Sequence, residues 1–263
     1  MQTVDKAMRL LNLFSTEQPE IGLSELARMA NIDKAGTRRL LVALQKHAFI
    51  EQNLDSRDYR LGTGFLHLAR VRESTFPMAS VIEPILRKLT QQTEEAAHAS
   101  LSSGVETDLL TIGVSASTRA IRVHVQDDEK LPLHATASGC AYLAFSSEER
   151  YQTLVKGSLT SYTQETICDL QKFRTHVDGA FAKGYAVSNQ TLEEGAFGIA
   201  APFFDALGQP SGAVAIASPV SRMDDEREAL FAQLVVNAAI EISKSLGGKV
   251  SDAFLLANKE RIK

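Results

Sequence analysis

Tryptophan is absent from the 263-residue chain, cysteine occurs only twice, at Cys140 and Cys168, and there is no low-complexity tract. Two cysteines at that spacing make neither a disulfide framework nor the paired pattern of a structural zinc site. Nowhere does the chain approach the roughly 18–20 consecutive apolar residues that a membrane helix needs. The opening segment, MQTVDKAMRLLNLFSTEQPE, sets Asp5 and Glu17 in an amphipathic pattern and lacks a small-residue cleavage motif, so it does not read as a secretory leader. These absences point to the cytoplasm. His47, His67, His98, His124 and His176 are scattered, without the i, i+4 pairing of a helical metal site. No metal and no cofactor is expected.

What remains is an ordinary globular composition, 44% hydrophobic and 23% charged, in a chain long enough for two domains with separate cores. The net charge of −4 hides an asymmetry. Residues 1–72 hold eleven Lys and Arg against eight Asp and Glu, a net +3, which leaves −7 for the remainder. A basic first piece on an acidic body suggests that the two parts meet different partners.

In the basic piece, Ala7, Leu10, Leu11 and Phe14 predict a helix over residues 4–15. TEQPEIG reads as a turn, and LSELARMA predicts a second, short helix behind Gly22, a weak cap without a side-chain oxygen. Asp33 is a good N-cap for a third helix reaching about His47. On a helical wheel Thr37, Leu40, Leu41 and Leu44 form its core stripe. Lys34, Ala35, Arg38, Val42 and Gln45 lie opposite, with Arg39 and Lys46 on the flank. A face that is small at its start and basic along its length suits a helix entering the DNA major groove. FIEQNLDSRDYRLG then predicts two short strands around a polar turn with Arg57 at its tip. Helix, helix, turn, helix and hairpin is the layout of a winged helix-turn-helix. A solvated basic face on an ordinary helical pair is the plain alternative.

The elements LSELA (Leu23–Ala27), Lys34–Thr37, Arg39–Leu44, Ala48–Ile50 and YRLG (Tyr59–Gly62) resemble the DNA-binding domain of the IclR family of bacterial transcription regulators. Ala48 departs from the pattern, standing where that family usually has glycine before the wing. The second half resembles the family's effector domain, a relative of GAF domains, through LPLHATASGCAYLA (Leu131–Ala144) and EEGAFGIAAPFFDALGQPSGAVAIASP (Glu193–Pro219). The resemblance spans nearly the whole chain. It implies an α+β protein in three parts: a winged helix-turn-helix domain at 1–72, a linker helix at 73–95, and a GAF-like effector-binding domain at 96–263. It further implies dimers that can pair into tetramers.

The residues themselves support that organisation. Helices are expected at 63–73 and from about Pro77 or Met78 to Gln92, interrupted by Pro77 and Pro84. From Ala96 the period shifts to two. AHASLSS, TDLLTIGV, AIRVHVQ, GYAVSN, GIAAPFFD and SGAVAIASP read as strands of a mainly antiparallel sheet. Helices at about 138–146, 147–156, 168–183 and 223–246 are set among them, the last burying Leu230, Phe231, Leu234, Val235, Ala238 and Ile242.

Major-groove contacts are expected from Lys34, Thr37 and Arg38, close approach at Ala35 and Gly36, and phosphate or minor-groove contacts from Arg39 and Arg57. The helix start at Ala137, Ser138 and Gly139 can hold a carboxylate with its free N–H groups, Gly139 admitting the ligand to the backbone. Carried over from the family, the pocket also draws on Ser188, Gly198, Ala215 and Ala217; Arg119 or Arg122, from the preceding strand, is the expected partner of an acid group. Ala215 and Ala217 replace hydroxyls common in the family, and Gly198 replaces a cysteine, which favours an aromatic or extended organic acid over a small keto acid. The expected function is a ligand-responsive regulator that binds a palindromic operator of double-stranded DNA as a dimer or tetramer. Two alternatives stay open at this point: a sensor module that binds ligand but no DNA, and a cysteine-dependent enzyme built on Cys140 and His134.

Overall fold

The computed structural model describes residues 2–15, 18–75, 78–103 and 107–262. Thr16 and Glu17 of the first turn, and Pro77 as a helix start, lie outside them. The chain divides into two compact units at Pro77/Met78.

The smaller unit begins with α1 (Gln2–Leu11), α2 (Leu23–Ala30) and α3 (Lys34–Lys46). Helix α1 is shifted toward the N-terminus of the expected span, ending before Phe14. Helix α2 starts behind Gly22 with no side-chain cap and ends on Asn31 in the left-handed conformation, φ 53°. Asp33 caps α3 as expected, accepting a 2.7 Å hydrogen bond from the Gly36 N–H. The wing follows as β1 (Ile50–Gln52) and β2 (Tyr59–Leu61), paired antiparallel, with Ile21 bridging to Tyr59. Leu10, Ile21, Leu26, Leu41, Ile50 and Tyr59 close a core under these elements. Ala48 stands at φ 57°, a backbone conformation that glycine adopts freely and alanine only under strain. Helix α4 (Gly64–Thr75) completes the unit.

The larger unit holds one six-stranded sheet, every ladder antiparallel. Its strands are β3 (Ala96–Ser102), β4 (Asp108–Ser115), β5 (Lys130–Pro132), β6 (Ala186–Asn189), β7 (Ala196–Phe204) and β8 (Pro210–Pro219), in the order β5-β4-β3-β8-β7-β6. Helices α5 (Met78–Thr93) and α9 (Asp225–Ser245) cover one face, where Ala97, Ala99, Ile199, Val214 and Ile216 meet Ile82, Leu86, Phe231 and Val235. Pro84 lies inside α5 without ending it. The opposite face presents Ala186, Ala200, Ala213 and Ala215 to α6 (Ala137–Ala144), while α7 (Glu148–Val155) and α8 (Leu170–Lys183) pack outside α6. Alternate residues of each strand thus serve two cores, as the pleat requires. A short α10 (Asp252–Ala257), which no periodic signal marks, buries Phe254 against Phe145 and Phe204. Among the described residues no helix is long and apolar enough to cross a membrane.

Three expectations need correction. AIRVHVQ is not a strand: residues 116–129 run as a loop, and the strand paired on that edge of β4 is β5, at Asp108–Leu110. Its alternation comes instead from Val123 and Val125 turning inward while His124 and Gln126 stay exposed. Leu230 is 46% exposed rather than buried, facing an open groove beside Ile85 and Leu89. Thr37 is wholly buried in the smaller unit, its hydroxyl donating to the Asp33 carbonyl at 3.0 Å, so it stabilises the helix start and has no surface to offer DNA.

Candidate functional site

On α3 the exposed face is what the wheel predicts. Lys34, Ala35, Arg38, Arg39 and Val42 share one open surface with Leu23. The wing turn adds Arg57 beside Lys34 and Arg38. That turn is built by Asn53, whose side-chain oxygen accepts from the Asp55 and Ser56 N–H groups while its carbonyl accepts from Arg57 N–H. It leaves Arg57 in the left-handed region at φ 67°.

Ion pairing separates the arginines into two groups. Arg28 pairs with Glu25, and Arg60 is held between Glu20 and Glu51 at 3.3 and 3.4 Å. Lys34, Arg38, Arg39 and Arg57 have no carboxylate partner among the described residues. Four uncompensated cations on one face, next to small residues, form the surface that phosphates and base edges favour. At Gly36 a Cβ would stand 2.7 Å from Asp33 Oδ2, the oxygen of the capping carboxylate that does not accept the Gly36 N–H.

The larger unit holds a cavity between the start of α6, the sheet and the 116–129 loop. Small side chains make its floor. Ser188, Gly198 and Ala217 sit in register across β6, β7 and β8, and His98 pairs with Ala215 between β3 and β8. Ala137 and Ser138 contribute from α6, and Val123, His124 and Val125 from the loop. A Cβ at 198 would come within 2.7 Å of the Ser188 hydroxyl and 3.3 Å of the Ala137 methyl, so this glycine keeps the space open.

At the start of α6 the Thr136 hydroxyl accepts from the Gly139 N–H at 3.0 Å, and the N–H groups of Ala137 and Ser138 are left without an intrahelical acceptor. Next to them is His98, which sequence reasoning passed over as one of several scattered histidines. Its Nε2 lies 3.3 Å from the Ser138 hydroxyl, and its Nδ1 is buried with no hydrogen-bond partner. Burial lowers its pKa to about 4, so the ring is neutral at physiological pH. Two backbone N–H groups without an intrahelical acceptor and the Ser138 hydroxyl, beside one cavity, are features that a carboxylate ligand satisfies.

Of the expected pocket residues, Ala137, Ser138, Ser188, Gly198, Ala215 and Ala217 come together. Gly139 does not line the cavity. A Cβ there would stand 2.3 Å from Leu133 Cα, so the glycine is required by close packing of α6 on the preceding loop, not by a ligand. Arg119 and Arg122 also lie elsewhere: Arg119 pairs with Glu94, and Arg122 donates to the Arg119 carbonyl at 3.1 Å. The cysteine-enzyme alternative fails on geometry. Cys140 is buried with its thiol directed to the Leu133 carbonyl, and burial pushes its pKa up to about 12. His134 is engaged instead with the Thr160 carbonyl at 2.8 Å. A thiol that stays protonated, without a base beside it, is no nucleophile.

Comparison with known proteins agrees with both halves. The model of the IclR helix-turn-helix domain matches residues 3–54, and that of the bacterial transcriptional regulator IclR C-terminal domain matches residues 73–244. The transcriptional repressor IclR of Escherichia coli is 26% identical over 249 residues, 94% of this chain and 91% of the relative. The crystal structure of an IclR transcriptional regulator from Silicibacter sp. TM1040 superposes with a TM-score of 0.90 at 33% identity, covering 96% of this chain and 99% of the other. An IclR homologue from Microbacterium hydrocarbonoxydans, crystallised with 4-hydroxybenzoate, shares the fold at a TM-score of 0.77 and 20% identity, covering 93% and 98%. With a DNA-binding unit and an effector-domain unit each matched in the expected order, this chain belongs to the IclR family of transcriptional regulators.

Proposed function

We propose that this protein is a dimeric regulator that reads a palindromic operator with α3 and the wing and senses a small organic acid in the cavity of its larger unit. The observation that carries the reading is the pairing of two features in one chain: an uncompensated cationic face on a helix-turn-helix, and a cavity offering free donors at the start of α6. Lys34 and Arg38 enter the major groove, Ala35 permits close approach, and Arg39 and Arg57 hold phosphates or the minor-groove edge. Two copies read half-sites about one helical turn, or a multiple, apart. Apolar side chains exposed on α1 (Val4, Met8) and on α4 (Leu66, Leu68, Val71) are surface that a second copy would cover. Pairing of dimers into tetramers is the further step.

In the cavity, Ala137 and Ser138 N–H groups hold the acid head, and the small floor of Gly198, Ala215 and Ala217 leaves room for an aromatic or extended body. The 4-hydroxybenzoate bound by the Microbacterium homologue is a molecule of that class. Ligand and operator affinities are coupled by about 1–3 kcal/mol.

Truncating Arg38 to alanine should weaken specific operator binding by about 1–3 kcal/mol and relax the sequence preference. Gel shifts against specific and scrambled duplexes measure this, and unchanged affinity and preference would remove Arg38 from the interface. For the sensor half, a thermal-shift series against aliphatic and aromatic acids is decisive. An acid at 100 times its Kd should stabilise the fold by about 2.7 kcal/mol, and the absence of any shift across both classes would overturn the organic-acid reading.

A further inference from the structure

Val42 is out of place on the exposed face of α3. Its side chain is 44% exposed and shares one open surface with Lys34, Ala35, Arg38 and Arg39. Its neighbours along the helix, Leu40, Leu41 and Leu44, belong to the core of the smaller unit, and Val42 does not. A β-branched residue is a poor choice for an exposed position in mid-helix. It loses rotamer freedom against the preceding turn, and alanine, glutamate or lysine there would favour the helix more. Neither the core nor the helix therefore accounts for this valine; a partner that touches the face would.

The charge around Val42 says which partner. Lys34, Arg38 and Arg39 share its surface, Arg57 lies beside Lys34 and Arg38, and none of the four has a carboxylate partner among the described residues. Such a surface is complementary to a polyanion. In the major groove of a DNA duplex the base edges present hydrogen-bonding atoms and a single apolar group, the thymine C5-methyl. From this placement we infer that Val42 is a specificity-determining residue, packing its two methyls on the C5-methyl of an operator thymine. The inference rests on the operator-reading role proposed above and adds to it a side chain that reads by apolar contact. The helix rises about 6 Å between Arg38 and Val42, under two base-pair steps of about 3.4 Å, so the thymine lies one or two base pairs from the edge that Arg38 contacts. Valine's stiff χ1 holds the methyls in one position, so the contact costs little side-chain entropy. Cytosine in the same place sets its N4 amino group against a side chain that cannot accept a hydrogen bond.

The test begins with selection of operators from random duplexes by the full-length protein. In the selected duplex each thymine is then replaced by deoxyuridine, which removes the 5-methyl and nothing else, and Kd is measured by fluorescence anisotropy for the wild type and for Val42→Ala. At one thymine of each half-site the wild type should lose about fourfold in affinity, the worth of one buried methyl. Val42→Ala should bind the thymine operator at least about fourfold more weakly and be indifferent to deoxyuridine at that position. Its affinity for scrambled duplexes should match the wild type, because the phosphate contacts are intact, and its thermal midpoint should not fall, since alanine is the better helix former. Val42→Ile keeps both methyls and should keep the sensitivity to deoxyuridine. The inference is overturned, with operator reading left intact, if no thymine responds or if the response is as large in Val42→Ala. A loss on scrambled duplexes equal to that on the operator also overturns it, since Val42 would then act on the fold of α3 and not on a base. A selection that enriches no sequence overturns both readings.

Discussion

Replacing Arg222 by alanine is expected to destabilise the larger unit by about 3–5 kcal/mol, the cost of leaving a buried carboxylate uncompensated. Glu95, immediately before β3, has a side chain with 0% exposure. Arg222 Nε and Nη2 donate to its two oxygens at 2.7 and 2.6 Å, a bidentate fork that a lysine cannot reproduce. Arg227 stands 3.8 Å away as a distant second cation and recovers only part of the loss. Glu95→Ala should cost less, because Arg222 is 19% exposed and can turn toward water. The double variant should cost clearly less than the two singles together, since each single strands a partner that the double removes. Scanning calorimetry of the three variants measures this, and a loss under about 1 kcal/mol for Arg222→Ala would show the pair to be solvated. There is a functional consequence too. Arg222 Nη1 also holds the Ile121 carbonyl at 3.0 Å, two residues before the segment that walls the cavity, so the variant that still folds should bind organic acids more weakly.

That arrangement also shows where sequence reasoning stops. The recognition helix was legible because its signals are local: a 3.6-residue period, an Asp cap, and basic residues opposite a leucine stripe. Thr37 was the exception within it. The family pattern places it beside the DNA-contacting start, but the wheel places it with Leu41 in the core, and the wheel was right. The cavity floor was legible only through resemblance, because Ala215, Ala217 and Gly198 look like any small core residues until three strands set them in register. Its rim was not legible at all. Val123 and Val125 alternate with polar residues as a strand would, yet the segment runs as a loop along the cavity. Arg119 and Arg122 had the right charge for an acid ligand, yet nothing in a linear sequence reveals that Arg119 pairs with Glu94 and that neither arginine lines the cavity.

His98 should make the stability of the larger unit fall by about 3 kcal/mol as pH drops from 6.5 to 4. The ring is buried on the sheet, with Val114, Ala215 and the Ser138 hydroxyl as its neighbours, and the remaining ionisable groups of the cavity, His124, Glu129 and Glu193, lie at its rim. Desolvation lowers the folded-state pKa to about 4, against an ordinary value of 6.5. Between those values the unfolded chain binds a proton that the folded chain does not. Stability is therefore complete above pH 6.5 and declines by about 1.4 kcal/mol per pH unit as pH falls through the window. His98→Gln keeps a polar group of similar reach beside Ser138 and removes the titration. Urea midpoints at pH 7.5, 6.0 and 5.0 should fall more steeply for the wild type than for the variant, and parallel slopes would show that His98 protonates without penalty. A carboxylate ligand adds a second arm. Its negative charge against His98 favours the imidazolium, so saturating acid should flatten the wild-type slope while leaving that of His98→Gln unchanged, which ties the buried histidine to the ligand site by a thermodynamic cycle.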